Sequence, residues 1–217
     1  MLKAIPIDIV SDVVCPWCFV GKRRLERALT QLPDLHVEVR WRPFQLDSTI
    51  PKEGMPRADY LRRKFGSDER IAELHKPLKA VGAELGIPFA FEKITVSPNT
   101  LNAHRLLRWA DEAGKQDALA ERLFNLYFIE GGDLSDKATL LQAAIDSGLD
   151  GTLVSQLLAS DADLDPVIAE ITAAQEMGVN SVPTFIVANR YAVVGAQPPE
   201  VIASALTRAA LEARATG

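Results

Sequence analysis

The sequence predicts an α/β fold in two separated pieces, β-α-β at the front and α-β-β-α at the back, with an all-helical segment between them. Three observations predict it. Strand-like apolar runs cluster near the two ends of the chain. The stretch from about residue 45 to about 164 is a succession of capped helical patterns. Both cysteines stand together as Cys15-Pro16-Trp17-Cys18, where the first strand turns into the first helix.

Ile5-Pro6-Ile7-Asp8-Ile9-Val10 reads as a buried strand, and Val20, Leu25, Ala28, Leu29 and Leu32 then recur at helical spacing before Pro33. His36 to Phe44 alternates with period two, a second strand at a crossover length that suits parallel pairing. Helices are predicted for Arg57–Phe65 and for a segment capped by Ser67 and closed by Gly86, with Pro77 expected to kink or split it. Ile87 to Val96 reads as extended. A helix capped by Asn99 or Ser97 follows, then Asp117–Glu130 stopped by Gly131-Gly132, one from Ser135 or Asp136 to Gly148, and Thr152–Ala159. Asp165-Pro166 is a helix start, Gly178 its stop. Val179 to Val187 is a strand entered through Pro183, Asn189-Arg190 a tight turn, Tyr191–Val194 its antiparallel return, and Val201, Ile202, Ala205, Leu206 and Ala209 the apolar face of a last helix. The domains are expected at 1–44 with 165–217, discontinuous, and at 45–164.

A chain of 217 residues, 47% hydrophobic and 24% charged, has the material for an ordinary globular core. A net charge of −5 without a basic cluster argues against nucleic acid as partner, and no apolar run is long enough to cross a bilayer. The first residues read as a strand, not a signal peptide, so the expected compartment is the cytoplasm. A cysteine pair there is expected to be catalytic or redox-sensing.

Cys15 would sit at the helix start, where unpaired N–H groups and the helix dipole favour the thiolate. Cys18, three residues on, returns to the same side within disulfide reach, so Cys15 can form a mixed disulfide and Cys18 can resolve it. Pro16 suits the first turn, and Trp17 leaves apolar surface beside the sulfur. Zinc is disfavoured, because there are no further cysteines and only His36, His75 and His104 remain, at spacings that fit no zinc pattern; two inert buried thiols are the plainer alternative.

Joining the two end pieces across the helical insertion gives the element order of a thioredoxin fold. The chain resembles the DsbA-like thioredoxin superfamily, specifically its cytoplasmic FrnE-like branch, whose relatives include the 2-hydroxychromene-2-carboxylate isomerases and kappa-class glutathione transferases. Ser11-Asp12, the Cys15–Cys18 motif with Gly21, Asn99 to Arg105, Gly178 to Phe185 and Gly195-Ala196-Gln197-Pro198 carry the likeness. It implies a cis Val182–Pro183 bond beside the redox pair, with the N–H and C=O of Val182 offered to a substrate peptide or to glutathione as an added strand. Asp12 reads first as a loop residue satisfying N–H groups, with a proton-acceptor role toward Cys18 as the alternative. Asn99 and His104 are candidates because this helix approaches the cleft in the glutathione-using relatives, although a lone helical histidine is more often packed. Lys22, Arg23, Arg24 and Arg27 either act on Cys15 or form a solvated helix face.

The expected function is therefore a thiol–disulfide oxidoreductase or isomerase acting on protein thiols, protein disulfides or glutathione, with no bound cofactor or metal and glutathione as co-substrate or reductant. The oligomeric state is not legible, and a second copy of the chain stands as a candidate partner. The alternative is a glutathione-dependent isomerase or transferase. Both cysteines and the Ala196-Gln197 pair depart from that pattern, in which serine stands at the position of Cys15. A binding module without turnover is the third class.

Overall fold

The computed structural model describes residues 4–215. A four-stranded sheet in the order β2-β1-β5-β6 forms its frame, built from β1 (Ile5–Ser11), β2 (Val37–Pro43), β5 (Thr184–Val187) and β6 (Tyr191–Val194). β1 is interior. It pairs parallel with β2, placing Ile5 against Val37 and Ser11 against Pro43, and antiparallel with β5, placing Ile7 against Val187. Ile5, Ile7 and Ile9 are buried, as the apolar alternation requires.

The helix α1 (Pro16–Thr30) connects β1 to β2 and packs on α9 (Pro199–Ala215), which also meets β1, β5 and β6. Between β2 and β5 run α2 (Arg57–Phe65), α3 (Asp68–Leu85), α4 (Leu101–Glu112), α5 (Gln116–Asn125), α6 (Lys137–Asp146), α7 (Gly151–Ala159) and α8 (Leu164–Glu176), with a two-stranded ribbon of β3 (Met55–Pro56) and β4 (Val96–Ser97). This is a thioredoxin-like α/β fold with helices inserted after the first β-α-β unit. Phe19, next to Cys18, ties α1 to the insertion: its ring stacks on Phe124 at 5.2 Å and meets Phe89 edge-on at 6.0 Å. Each such pair contributes about 0.5–1.5 kcal/mol beyond its buried area.

Several local expectations are corrected. The helix containing Pro77 is continuous over 18 residues; the missing N–H removes one hydrogen bond, and the packing of Leu78 and Gly82 holds the rest. Ile87 to Val96 is not extended throughout. It folds through a 3-10 turn at Phe91–Lys93 and pairs only at its end, because its aromatic residues are drawn into the core. Thr100 occupies the N-cap position of α4, so neither Asn99 nor Ser97 does, although Asn99 Oδ1 accepts from the Leu101 N–H. Leu126–Glu130 departs from α5 as a single π turn before Gly131, which has φ of 79°. The helix α8 starts at Leu164 on a left-handed Asp163, putting Pro166 third rather than first, still among the turn whose N–H groups lack intrahelical partners. The hairpin turn centres on Ala188 and Asn189, both at positive φ. In α9, Ala203 joins the buried face while Val201 is exposed.

Candidate active site

Ser11 ends β1 and Cys15 is the N-cap residue of α1, with Pro16 as its first helical residue. The loop is closed by a hydrogen bond from the Cys15 N–H to the Asp12 carbonyl at 3.0 Å. Cys18 lies one turn into the helix. The two cysteines are free thiols 3.4 Å apart. Cys18 is fully buried, whereas Cys15 lines a cavity. Burial pushes the Cys18 thiol well above its ordinary range, and the hydrogen bond and charge of Cys15 push the same way; the Ser11 hydroxyl and the Asp12 backbone pull weakly in the other direction.

The far end of the chain supplies the opposite wall. The Val182–Pro183 peptide is cis, and the Cys15 thiol donates to the Val182 carbonyl at 3.6 Å. Gly21 makes this approach sterically possible. A Cβ there would lie 2.8 Å from Pro183 Cγ and 3.2 Å from Phe185 Cζ.

Beside the pair lies a cavity of about 440 Å³, walled by Cys15, Pro16, Trp17 and Val182 on the sheet side and by α2, α3 and the π turn on the other. Its lining is mostly apolar, and Trp17 is among the exposed large side chains at its mouth.

The remaining candidates separate clearly. Asp12 is buried; its Oδ2 accepts from the Leu46 N–H at 2.8 Å, and its Oδ1 lies 3.5 Å from His104 Nε2. His104 Nε2 is 2.8 Å from the Phe44 carbonyl, which can only accept, so that nitrogen carries the proton. Both side chains brace the strand ends behind the cysteines. Asn99 lies away from the cavity and ties its neighbours together, accepting from Gln45 and donating to the Ile50 carbonyl at 2.7 Å. The basic residues of α1 are engaged elsewhere: Lys22 is buried among Glu26, Asp117 and Glu121, Arg23 pairs with Glu121, Arg24 donates to the Ala196 carbonyl, and Arg27 to that of Glu84. Sequence reasoning missed Arg57, Tyr60 and Tyr127, which face the cavity from the insertion. No sequence signal set them apart: Arg57 and Tyr60 fall in the helix predicted for Arg57–Phe65, and Tyr127 in the one predicted for Asp117–Glu130.

Known proteins place this arrangement in context. A probable DsbA oxidoreductase from Streptomyces coelicolor is 34% identical, with a TM-score of 0.86 over 94% of this chain and 89% of its own. A 2-hydroxychromene-2-carboxylate isomerase shares the fold at 16% identity and a TM-score of 0.72, covering 98% and 99% of the two chains. The cytosolic disulfide reductase DsbM of Pseudomonas aeruginosa, solved with GSH, shares it at 16% identity and 0.61, covering 97% and 98%. Residues 6–207 match the DSBA-like thioredoxin domain. The dithiol at the head of α1 and the strand opposite it are thus set in a chain that belongs to the DSBA-like thioredoxin domain family.

Proposed function

We propose that this chain is a cytoplasmic thiol–disulfide oxidoreductase in which Cys15 is the attacking sulfur and Cys18 the resolving one. One observation carries the reading: two free thiols 3.4 Å apart, one on the wall of an open cavity and the other fully buried behind it. A substrate disulfide reaches only Cys15. Its thiolate takes one half of the substrate as a mixed disulfide and releases the other half as thiolate. Cys18 is held as a thiol until Cys15 is derivatised; it then loses its proton, attacks the Cys15 sulfur and frees the second half. Val182, Pro183, Pro16 and Trp17 frame the partner, the Val182 backbone by strand-like pairing and Trp17 by apolar contact. Partners are protein thiols and disulfides or glutathione.

The glutathione-dependent isomerase reading is less favoured. The Ala196 carbonyl already accepts from Arg24 and one Gln197 amide donor goes to the Val194 carbonyl at 2.9 Å, and neither side chain offers the acidic or hydroxyl group that holds the γ-glutamyl end in the glutathione-using relatives.

A redox titration in glutathione buffers, read by Trp17 fluorescence and by mass analysis of trapped thiols, tests the proposal. The expected result is a reversible two-electron change joining Cys15 to Cys18. A potential of about −120 to −180 mV would mark an oxidase or isomerase, and one near about −270 mV a reductase. A glutathione adduct on Cys15 with no internal disulfide would sink the redox reading and favour the glutathione-dependent one.

A further inference from the structure

The geometry points to a small substrate for this site: a disulfide with a ring-bearing apolar body and one acidic group, the acid held by Arg57. This rests on the oxidoreductase reading above and specifies what enters the cleft.

The cavity of about 440 Å³ falls in the size range of small-molecule pockets, about 300–1,000 Å³. Its inserted wall is apolar and aromatic, from Tyr60, Ile71, Leu74, Leu78 and Phe91. His75 extends that surface, stacked on Phe91 with ring centroids 4.1 Å apart. Burial, followed by the nearby Arg57 and Lys79, lowers the His75 pKa, so this ring is neutral at pH 7.

Into this apolar lining projects a cation with unfilled donors. Arg57 is half-buried, and its guanidinium donates from Nη1 to the Tyr127 hydroxyl at 2.7 Å and lies 5.6 Å from that ring's centroid. Among the described residues no carboxylate comes within 4 Å of it, whereas Arg62, Arg63, Arg108 and Arg122 each face one. Tyr127 does not neutralise it, since burial pushes that phenol up to about 12. Of the two carboxylates on the cavity wall, Asp47 holds Thr49 with Arg63 at 3.8 Å, and Asp12 holds the Leu46 N–H through Oδ2 while its buried Oδ1 has no hydrogen-bond partner among the described residues and lies 3.5 Å from His104 Nε2 rather than beside Arg57. Guanidinium has five N–H donors in a fork that matches a carboxylate, and here one is used. Lys64, with Nζ 2.7 Å from the Tyr60 hydroxyl, adds a second positive charge at the rim.

In the bound complex the Cys15 thiolate attacks one substrate sulfur, the S–S bond breaks, and the other half leaves as a thiolate. Cys18 then gives up its proton and attacks the Cys15 sulfur, releasing the second half. The dithiol loses the two electrons that the substrate gains, and a small thiol such as glutathione returns the protein to its dithiol form.

Three disulfide probes separate the possibilities: dithiobis-nitrobenzoate (aromatic and anionic), dithiodipyridine (aromatic and uncharged) and glutathione disulfide (anionic without rings). The dithiol protein, Arg57→Gln, Arg57→Lys and Cys15→Ser are each mixed with them, and rates are divided by those of a free small thiol. The expected result is a wild-type preference for dithiobis-nitrobenzoate over dithiodipyridine that falls roughly 10- to 100-fold in Arg57→Gln, the range of a hydrogen-bonded charge pair, and is partly kept in Arg57→Lys. The readout is a ratio of two probes on one sample, so loss of folded protein cancels. An unchanged ratio in Arg57→Gln overturns the inference. So does a dependence on Arg57 that is as large for glutathione disulfide, which would make glutathione the occupant. If Cys15→Ser reacts with dithiodipyridine as fast as the wild type, the underlying oxidoreductase reading fails instead.

Discussion

Replacing Gly21 with alanine tests the contact on which the site depends. The new Cβ would meet the ring of Pro183 at 2.8 Å and Phe185 at 3.2 Å. Carbon atoms settle at about 3.5–4.0 Å, so α1 and the Pro183 strand must part by roughly 0.7 Å. Such overpacking costs about 1–3 kcal/mol, and alanine in a helix interior returns about 1 kcal/mol relative to glycine. The net loss is therefore about 0–2 kcal/mol, a fall in Tm of roughly 2–4 °C per kcal/mol at this size. The functional loss is expected to be larger. The Cys15–Val182 contact already stands at 3.6 Å, and misplacement by about 1 Å costs on the order of 100-fold in rate. Urea unfolding and kcat/KM for reduction of a model disulfide measure the two effects separately. A Gly21→Ala protein that is more stable than the wild type and within twofold of its activity would refute the tight α1–Pro183 contact and the positioning it supports.

Three other perturbations have definite outcomes. Cys18 is held as a thiol above its ordinary value of 9.0. The folded state therefore keeps a proton that the unfolded state releases, and stability falls as pH rises past about 9. Denaturant melts at increasing pH should show that decline, and Cys18→Ala should flatten it. Gly131→Ala places a Cβ 2.5 Å from the Lys93 carbonyl at a φ of 79°, whereas Gly66, at 94°, has nothing within 4 Å of the same position. The first change should cost about 2–5 kcal/mol and the second about 1–2 kcal/mol in urea melts, because only the first adds a clash to the left-handed strain. Arg105 is buried and donates to Asn102 and to the carbonyls of Leu157, Ser160 and Ala162. Arg105→Met strands those carbonyls, and chemical denaturation should report a loss of about 3 kcal/mol. A loss under about 1 kcal/mol would mean that water replaces the guanidinium there.

The frame was legible because it is written in local patterns. The apolar alternation of Ile5 to Val10 and of Val37 to Trp41, the cysteine pair at a strand-to-helix turn, and the Ser67 and Asp136 caps each carry their own signal within a few residues. What escaped depends on partners distant in sequence. Pro77 breaks a helix in isolation, but here the flanking turns are held by Leu78 and Gly82. Phe89 and Phe91 lie in a segment that reads as extended, yet they stack on each other and both meet Phe128 edge-on, which bends the segment into the core. His104 and Asn99 stand within the helix motif that carried the family resemblance, and their hydrogen bonds to Phe44, Gln45 and Ile50 could not be read from it. Arg57 carried no signal at all. Its significance comes from having no carboxylate within 4 Å among the described residues, which a sequence cannot display.

The hydrogen bond between Cys15 and Val182 joins residues 167 apart. At a synthesis rate of about 5–20 residues per second, roughly 10–30 s separate the appearance of the thiols from that of the strand that frames them. During that interval the growing chain carries two neighbouring cysteines without the Val182 carbonyl that later faces Cys15. The side of Cys15 that this carbonyl covers is then open to the surroundings. On the oxidoreductase reading, the wall that frames Cys15 is completed only by the last quarter of the polypeptide, so a reducing milieu during translation would keep the pair as thiols until the site is whole.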